Sequence, residues 1–112
     1  IPPLEVEGAP SGELLVLSWG GTRGAVQLAA RRLIDGGLKV GVAHLRHLNP
    51  LPANTGEVLK RYKRVLVPEL NFGQLSLVLR AKYLVDVKSF GVLQGRYFTV
   101  GELEKAMRDA LV

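Results

Sequence analysis

Four short apolar runs punctuate the chain, at residues 14–18 (LLVLS), 39–45 (KVGVAHL), 64–67 (RVLV) and 84–87 (LVDV), and each reads as a strand. The first and third are nearly continuous in Leu and Val, the pattern of strands covered on both faces in a parallel sheet. Between the runs the apolar spacing changes to a helical one. Over residues 22–35, Val26, Ala29, Ala30, Leu33 and Ile34 recur at i, i+3, i+4, i+7 and i+8, which predicts a helix with one apolar face. Gly36 and Gly37 stop it. Residues 53–62 predict a shorter helix, with Val58, Leu59 and Tyr62 as its inward stripe and Pro50 and Pro52 fixing its approach. Residues 73–83 are apolar on most sides, with Leu75, Leu77, Val78, Leu79 and Ala81 spread around the wheel. A helix of that kind calls for cover on more than one face, and so for a surface beyond this domain. The last helix has the clearest start. Thr99 and Glu102 form a T-x-x-E capping box, Phe98 and Leu103 occupy the hydrophobic-staple positions, and Ala106, Met107, Ala110 and Leu111 continue the apolar spacing.

Strands alternating with helices imply parallel pairing through right-handed crossovers, hence a three-layer α/β/α sandwich. Residues 4–7 add a short edge strand. In such a sheet the chain winds outward from a central strand and then returns to build the other half, leaving a crevice at the carboxyl ends where the order reverses. With 14–18 and 64–67 as central neighbours, the loops SWGGTRG (18–24) and PELNFGQ (68–74) meet across that crevice.

Composition bounds what the sandwich can do. The 112 residues suit a single domain with one layered core. The opening IPPLEVEGAPSGE, rich in Pro and Gly and lacking an initiator methionine, reads as a linker over residues 1–13 and marks the chain as a fragment of a longer subunit. No apolar run has the length or flanks of a signal peptide or a membrane span. Cysteine is absent, which removes disulfides, thiolate metal sites and a cysteine nucleophile, and fits a cytoplasmic location. The 15 Lys and Arg against 10 Asp and Glu leave a net charge of +5, enough to attract phosphates, nucleic acid or an acidic protein. The densest basic cluster, KRYKR at 60–64, reads as a solvated helix end whose cations favour the negative pole of the dipole. A nucleic-acid surface would need a longer basic stripe and more stacking aromatics than one Trp, three Tyr and three Phe.

Three loops carry candidate chemistry. The loop 18–24 follows a strand and opens a helix, as a dinucleotide fingerprint does. It has Trp19 where that motif needs its first glycine, and no ribose-binding acid at the end of the next strand. The helix amino terminus could still hold an anion through its N–H groups, with Thr22 as the cap. At the end of the second strand, alternation puts His44 and Arg46 on one face and His47 on the other, so a histidine metal pair is not expected. An ordinary hydrogen-bonded histidine is. In VPELNFGQL (67–75), Asn71 is placed to cap the next helix with Gln74 in the capping-box position. Glu69 is left over, as a general base, an ion-pair partner for a neighbouring Arg, or an acceptor for the N–H groups of the adjacent loop. No nucleophile elbow is readable. The switch-point or interface set is therefore Trp19, Thr22, Arg46, Glu69, Asn71 and Gln74, with no catalytic residue and no metal ligand.

The order SWGGTRGA, KVGVAHLRHLNPLP, VPELNFGQLSLVLRAKYLVDV and GRYFTVGELE resembles the carboxyl-terminal domain of the alpha subunit of 2-oxoacid:ferredoxin oxidoreductases, nearest the 2-oxoglutarate branch, from about residue 13 to the end. The resemblance implies a transketolase C-terminal-domain-like fold: a mixed, mostly parallel five-stranded sheet between helices, its first strand antiparallel to the rest. It implies a parent enzyme that uses thiamine diphosphate with magnesium, coenzyme A and an iron–sulfur cluster to convert a 2-oxoacid to an acyl-CoA, carbon dioxide and reduced ferredoxin. None of these cofactors is expected to bind this domain. The implied role is assembly, and the implied partners are the remainder of the alpha subunit, the beta subunit and ferredoxin, with no membrane and no nucleic acid. The other readings are a free-standing anion- or ligand-binding module and the C-terminal domain of a transketolase or E1 dehydrogenase.

Overall fold

A computed structural model of the chain describes residues 1–46, 50–69, 74–91 and 98–111. They form a five-stranded sheet with strand order β1-β3-β2-β4-β5. The strands are β1 (Val6–Gly8), β2 (Gly12–Trp19), β3 (Val40–Leu45), β4 (Tyr62–Glu69) and β5 (Val87–Gly91). Only β1 runs antiparallel, along β3, and every other pairing is parallel. The helices are α1 (Arg23–Asp35), entered through a short 3-10 turn at Gly20–Thr22, α2 (Thr55–Lys60), α3 (Gln74–Tyr83) and α4 (Val100–Ala110). This is the three-layer sandwich that the alternation of strands and helices predicts, with β2 and β4 as central neighbours, and its antiparallel first strand is the one that the family resemblance implies.

The two faces of the sheet explain why β2 is apolar at every step. Leu14 and Val16 point to one side, where they join Val26, Ala29, Ala30 and Leu33 of α1 and Leu103 and Met107 of α4. Leu15 and Leu17 point to the other side, against Val58 and Leu59 of α2 and Leu75 and Leu79 of α3. Both sets are buried, as the period-2 geometry of a strand between two helical layers demands. Full burial of a leucine such as Leu33 or Leu103 contributes about 1.5–3 kcal/mol. Two polar ties hold α4 in place. Arg32 reaches from α1 to Glu104 of α4 at 3.3 Å, and Arg64 Nη1 donates to the Ala110 carbonyl at 2.9 Å, closing the end of α4.

Where elements shift from the sequence expectation, the cause is local. The strand expected at 84–87 lies at Val87–Gly91. Leu84 is instead the residue that ends α3: its N–H donates to the Arg80 carbonyl at 2.9 Å, its φ is 55°, and it is 88% exposed. A left-handed residue at that position breaks the helix and cannot start a strand. The helix expected over 53–62 is only Thr55–Lys60, and Tyr62 opens β4. The Tyr62 hydroxyl donates to the Ala9 carbonyl at 2.6 Å, tying β4 to the segment between β1 and β2. The edge strand expected at 4–7 lies at Val6–Gly8. At α4, Thr99 and Glu102 form the expected capping box, the Glu102 N–H donating to Thr99 Oγ1 at 3.1 Å and the Thr99 N–H to Glu102 Oε1 at 3.0 Å.

Three of the four cations in the cluster 60–64 are spent on local partners. Arg61 pairs with Glu57 at 3.0 Å, Lys63 with Glu13 at 3.2 Å, and Arg64 with the α4 terminus. Exposed pairs of this kind contribute a few tenths of a kcal/mol and leave no continuous basic stripe there.

Candidate functional site

The carboxyl ends of the strands carry two different polar arrangements. At the end of β4, Glu69 is buried, 5% exposed, and its carboxylate turns onto the start of α3. Oε1 accepts from the Leu75 N–H at 2.8 Å. Oε2 accepts from the Ser76 N–H at 3.2 Å, the Ser76 hydroxyl at 2.7 Å and the Ser89 hydroxyl at 3.3 Å. One side chain thus satisfies donors of the first turn of α3 and links β4 to β5, and its negative charge sits at the favourable pole of the helix. Of the three readings open for Glu69, this geometry is the acceptor for backbone N–H groups. Asn71 lies outside the described residues. Gln74 opens α3, but its side chain also lies outside them.

At the ends of β2 and β3 the register decides the contacts. The parallel pairing sets Ser18 beside His44, on the face that carries Leu14, Val16, Val40 and Val42. There Ser18 Oγ and His44 Nδ1 lie 2.7 Å apart, while the Ala43 carbonyl is 3.4 Å from the same hydroxyl. The hydroxyl donates either to Nδ1 or to the Ala43 carbonyl, and in the second case Nδ1–H donates to Ser18 Oγ, so the direction of the 2.7 Å bond follows the imidazole tautomer. Burial is the main cause holding the His44 imidazole below its ordinary value, and the Arg23 and Arg46 guanidiniums add to it. The imidazole is therefore neutral at pH 7.

These groups line an open cleft of about 190 Å³. Arg23 and Gln27 enter from α1, Arg46 from just beyond β3, and the opposite wall is the amino-terminal arm with Glu5 and Glu7. The arm is held in place by Asn54, which accepts from the Leu4 N–H at 2.7 Å and donates to the Leu4 carbonyl at 2.9 Å. Among the described residues, neither Arg23 nor Arg46 has an ion-pair partner.

The remaining expected site residues fall around these centres. Thr22 is buried, and its hydroxyl bonds to the Trp19 N–H and carbonyl at 3.3 and 3.0 Å. It stabilises the 3-10 turn and makes no side-chain cap on α1, which differs from the capping role expected of it. Trp19 ends β2 with 39% of its surface exposed. The cleft is one strand over from the β2–β4 crevice expected to join 18–24 to 68–74. Arg46 lines it; Glu69 does not. His47 lies outside the described residues. Ser18 and Arg23 were not singled out by the sequence, because their roles depend on the β2–β3 register and on the first turn of α1. Among the described residues, no three His, Cys, Asp or Glu side chains group as a metal site, and no helix is long and apolar enough to cross a membrane.

The family model for the pyruvate:ferredoxin oxidoreductase core domain II matches residues 12–103. The chain belongs to this family. As a core domain II, it is 51% identical to the 2-oxoglutarate oxidoreductase subunit KorA of Mycobacterium tuberculosis, over 99% of its own length and 17% of that protein's. Its fold superposes with a TM-score of 0.92 and 31% identity on the 2-oxoglutarate:ferredoxin oxidoreductase of Magnetococcus marinus, solved with 2-oxoglutarate, coenzyme A and succinyl-CoA bound. That match covers all of this chain and 20% of the other, so the chain spans about a fifth of the length of these relatives. A split-gene transketolase, solved as an inactive tetramer, shares the fold at a TM-score of 0.72 and 19% identity, over 96% of this chain and 41% of that one. The alpha chain of a probable 2-oxoacid ferredoxin oxidoreductase from Thermoplasma acidophilum shares it at 0.64 and 20% identity, and there the match covers 97% of both chains. The core domain II fold therefore also occurs as a chain of nearly this length.

Proposed function

We propose that this core domain II is a non-catalytic assembly domain of a 2-oxoglutarate:ferredoxin oxidoreductase, working in a cytoplasmic complex that converts a 2-oxoacid and coenzyme A to acyl-CoA and carbon dioxide and passes the electrons to ferredoxin. The observation that carries an assembly role is the outer face of α3. Leu77 and Val78 are 62% and 51% exposed there, and Leu84, which ends the helix, is 88% exposed. An apolar face of this kind on a helix already buried through Leu75 and Leu79 suits a second protein surface. The 51% identity with KorA along the whole chain supports the 2-oxoglutarate branch. The partners are then the remainder of the alpha subunit and the beta subunit, with ferredoxin as the electron acceptor of the complex.

The parent's cofactors do not fit the residues present. An iron–sulfur cluster needs thiolate ligands, and this chain has no cysteine. Magnesium with thiamine diphosphate needs a set of oxygen ligands, and the described residues offer no cluster of carboxylates. These groups, with coenzyme A, are assigned to the rest of the complex, and no chemical step is routed through this domain.

The test is Leu77→Asp with Leu84→Asp in the full oxidoreductase complex that contains this domain. Gel filtration should show subunit dissociation and turnover should fall with it, while the same pair in the 112-residue chain leaves the melting temperature within a few degrees. A complex of unchanged mass and activity would overturn the assembly role.

A further inference from the structure

We propose that the cleft at the carboxyl ends of β2 and β3 binds the phosphate group of a small hydroxylated molecule, held by the guanidiniums of Arg23 and Arg46 beside His44. Buried or half-buried guanidiniums in a folded domain normally meet a carboxylate, because an unpaired planar cation leaves its donors unused. Here Arg23, half-buried on α1, and Arg46, exposed just beyond β3, line the same cleft as His44, and among the described residues neither is paired. Arg32, Arg61 and Arg64 are by contrast spent, on Glu104, Glu57 and the Ala110 carbonyl. Arg23 and Arg46 line the open cleft, and Arg32, Arg61 and Arg64 do not.

His44 lines the same cleft, with Nδ1 held 2.7 Å from the fully buried Ser18 hydroxyl. Two guanidiniums match the double charge and three terminal oxygens of a phosphate monoester better than the single charge of a carboxylate. The opposite wall selects the rest of the ligand. Glu5 and Glu7 line it without reaching either arginine, so they repel a second anionic group and accept from hydroxyls. A cleft of about 190 Å³ has room for a phosphate and a short polyol or sugar. The same Ser18–His44 pair is not a nucleophile and base, because the Ser18 hydroxyl has no access to a substrate.

The experiment is calorimetric titration of the 112-residue chain with glycerol 3-phosphate, inorganic phosphate and succinate at constant ionic strength, with the His44 ring signals followed by NMR. The two phosphates should saturate with half-occupancy at about 1–5 mM, the ester the tighter of the two, and shift the His44 signals. Succinate should bind at least about fivefold more weakly, since it offers one planar group and places its second carboxylate against Glu5 and Glu7. Arg23→Gln with Arg46→Gln should weaken the ester at least about tenfold, and Arg46→Lys, which keeps the charge but loses the fork, by an intermediate amount. Arg61→Gln, which removes a cation outside the cleft, should change nothing. The proposal is overturned if the ester does not saturate by about 20 mM, if succinate binds as tightly, or if Arg46→Lys and the double substitution both leave its affinity unchanged.

Discussion

Glu69 and the Arg23–Arg46 pair are both charged groups at the carboxyl edge of one sheet, one strand apart, and they are in opposite states. The Glu69 carboxylate accepts four hydrogen bonds from two elements. The two guanidiniums have no ion pair among the described residues and open onto a cleft. A buried charge with its hydrogen-bonding capacity filled from within the domain acts on the fold, whereas charges left unpaired beside a cavity are available to something else. Residue type alone does not separate these cases. Saturation does.

Substitutions that empty one site or the other test this contrast. The largest effect is expected for Glu69→Ala, which strands two N–H groups of α3 and the hydroxyls of Ser76 and Ser89, and should cost about 3–4 kcal/mol in urea unfolding. Glu69→Gln keeps one acceptor oxygen and should cost roughly half as much. A loss below about 1 kcal/mol for the alanine variant would remove Glu69 from the framework. Ser18→Ala ranks next, at about 1 kcal/mol, because it deletes one hydrogen bond to a half-buried ring that water can partly replace. Arg23→Gln and Arg46→Gln should change stability by no more than about 0.5 kcal/mol each at neutral pH. If either cost as much as Glu69→Ala, the cations would be structural and the contrast would fail.

The arginines leave a subtler mark on pH dependence. Unfolded, His44 takes up a proton near 6.5; folded, burial and the two guanidiniums hold that proton off until lower pH. Between those values the unfolded chain binds more protons, so stability falls as pH falls below about 6.5. Arg46→Gln should move the His44 titration, followed by NMR, back toward its ordinary value and make that acid-side loss shallower. An unmoved titration would mean that burial alone sets it.

Much of the architecture is legible in the apolar pattern. The unbroken Leu and Val of β2 require helices on both faces, and the residues that meet them on α1 are those the helical spacing of 22–35 picks out. The capping box at Thr99 is likewise local, since its bonds close within four residues. Boundaries are less legible where a distant group intervenes. Tyr62 fits a helical stripe, but its bond to the Ala9 carbonyl, made across 53 positions, places it in a strand. Leu84 fits an apolar strand run, but the left-handed end of α3 consumes it.

The candidate site shows the same division more sharply. His44 and Arg46 stand out in the sequence because alternation puts them on one face of a strand. Ser18 does not, because nothing within its own segment points to a residue 26 positions away. Only the register of β2 on β3 makes them neighbours, and only the first turn of α1 brings Arg23 to the same cleft. Glu69 is conspicuous as an acid at a strand end, yet its partners are the backbone of the next helix and a hydroxyl on the next strand. The sequence by itself determined the layers, the strand and helix types and the family, because these follow from periodicities and motifs read along the chain. The tertiary structure decided which charges are satisfied and which are free, because a hydrogen bond between strands depends on a register that no single segment encodes.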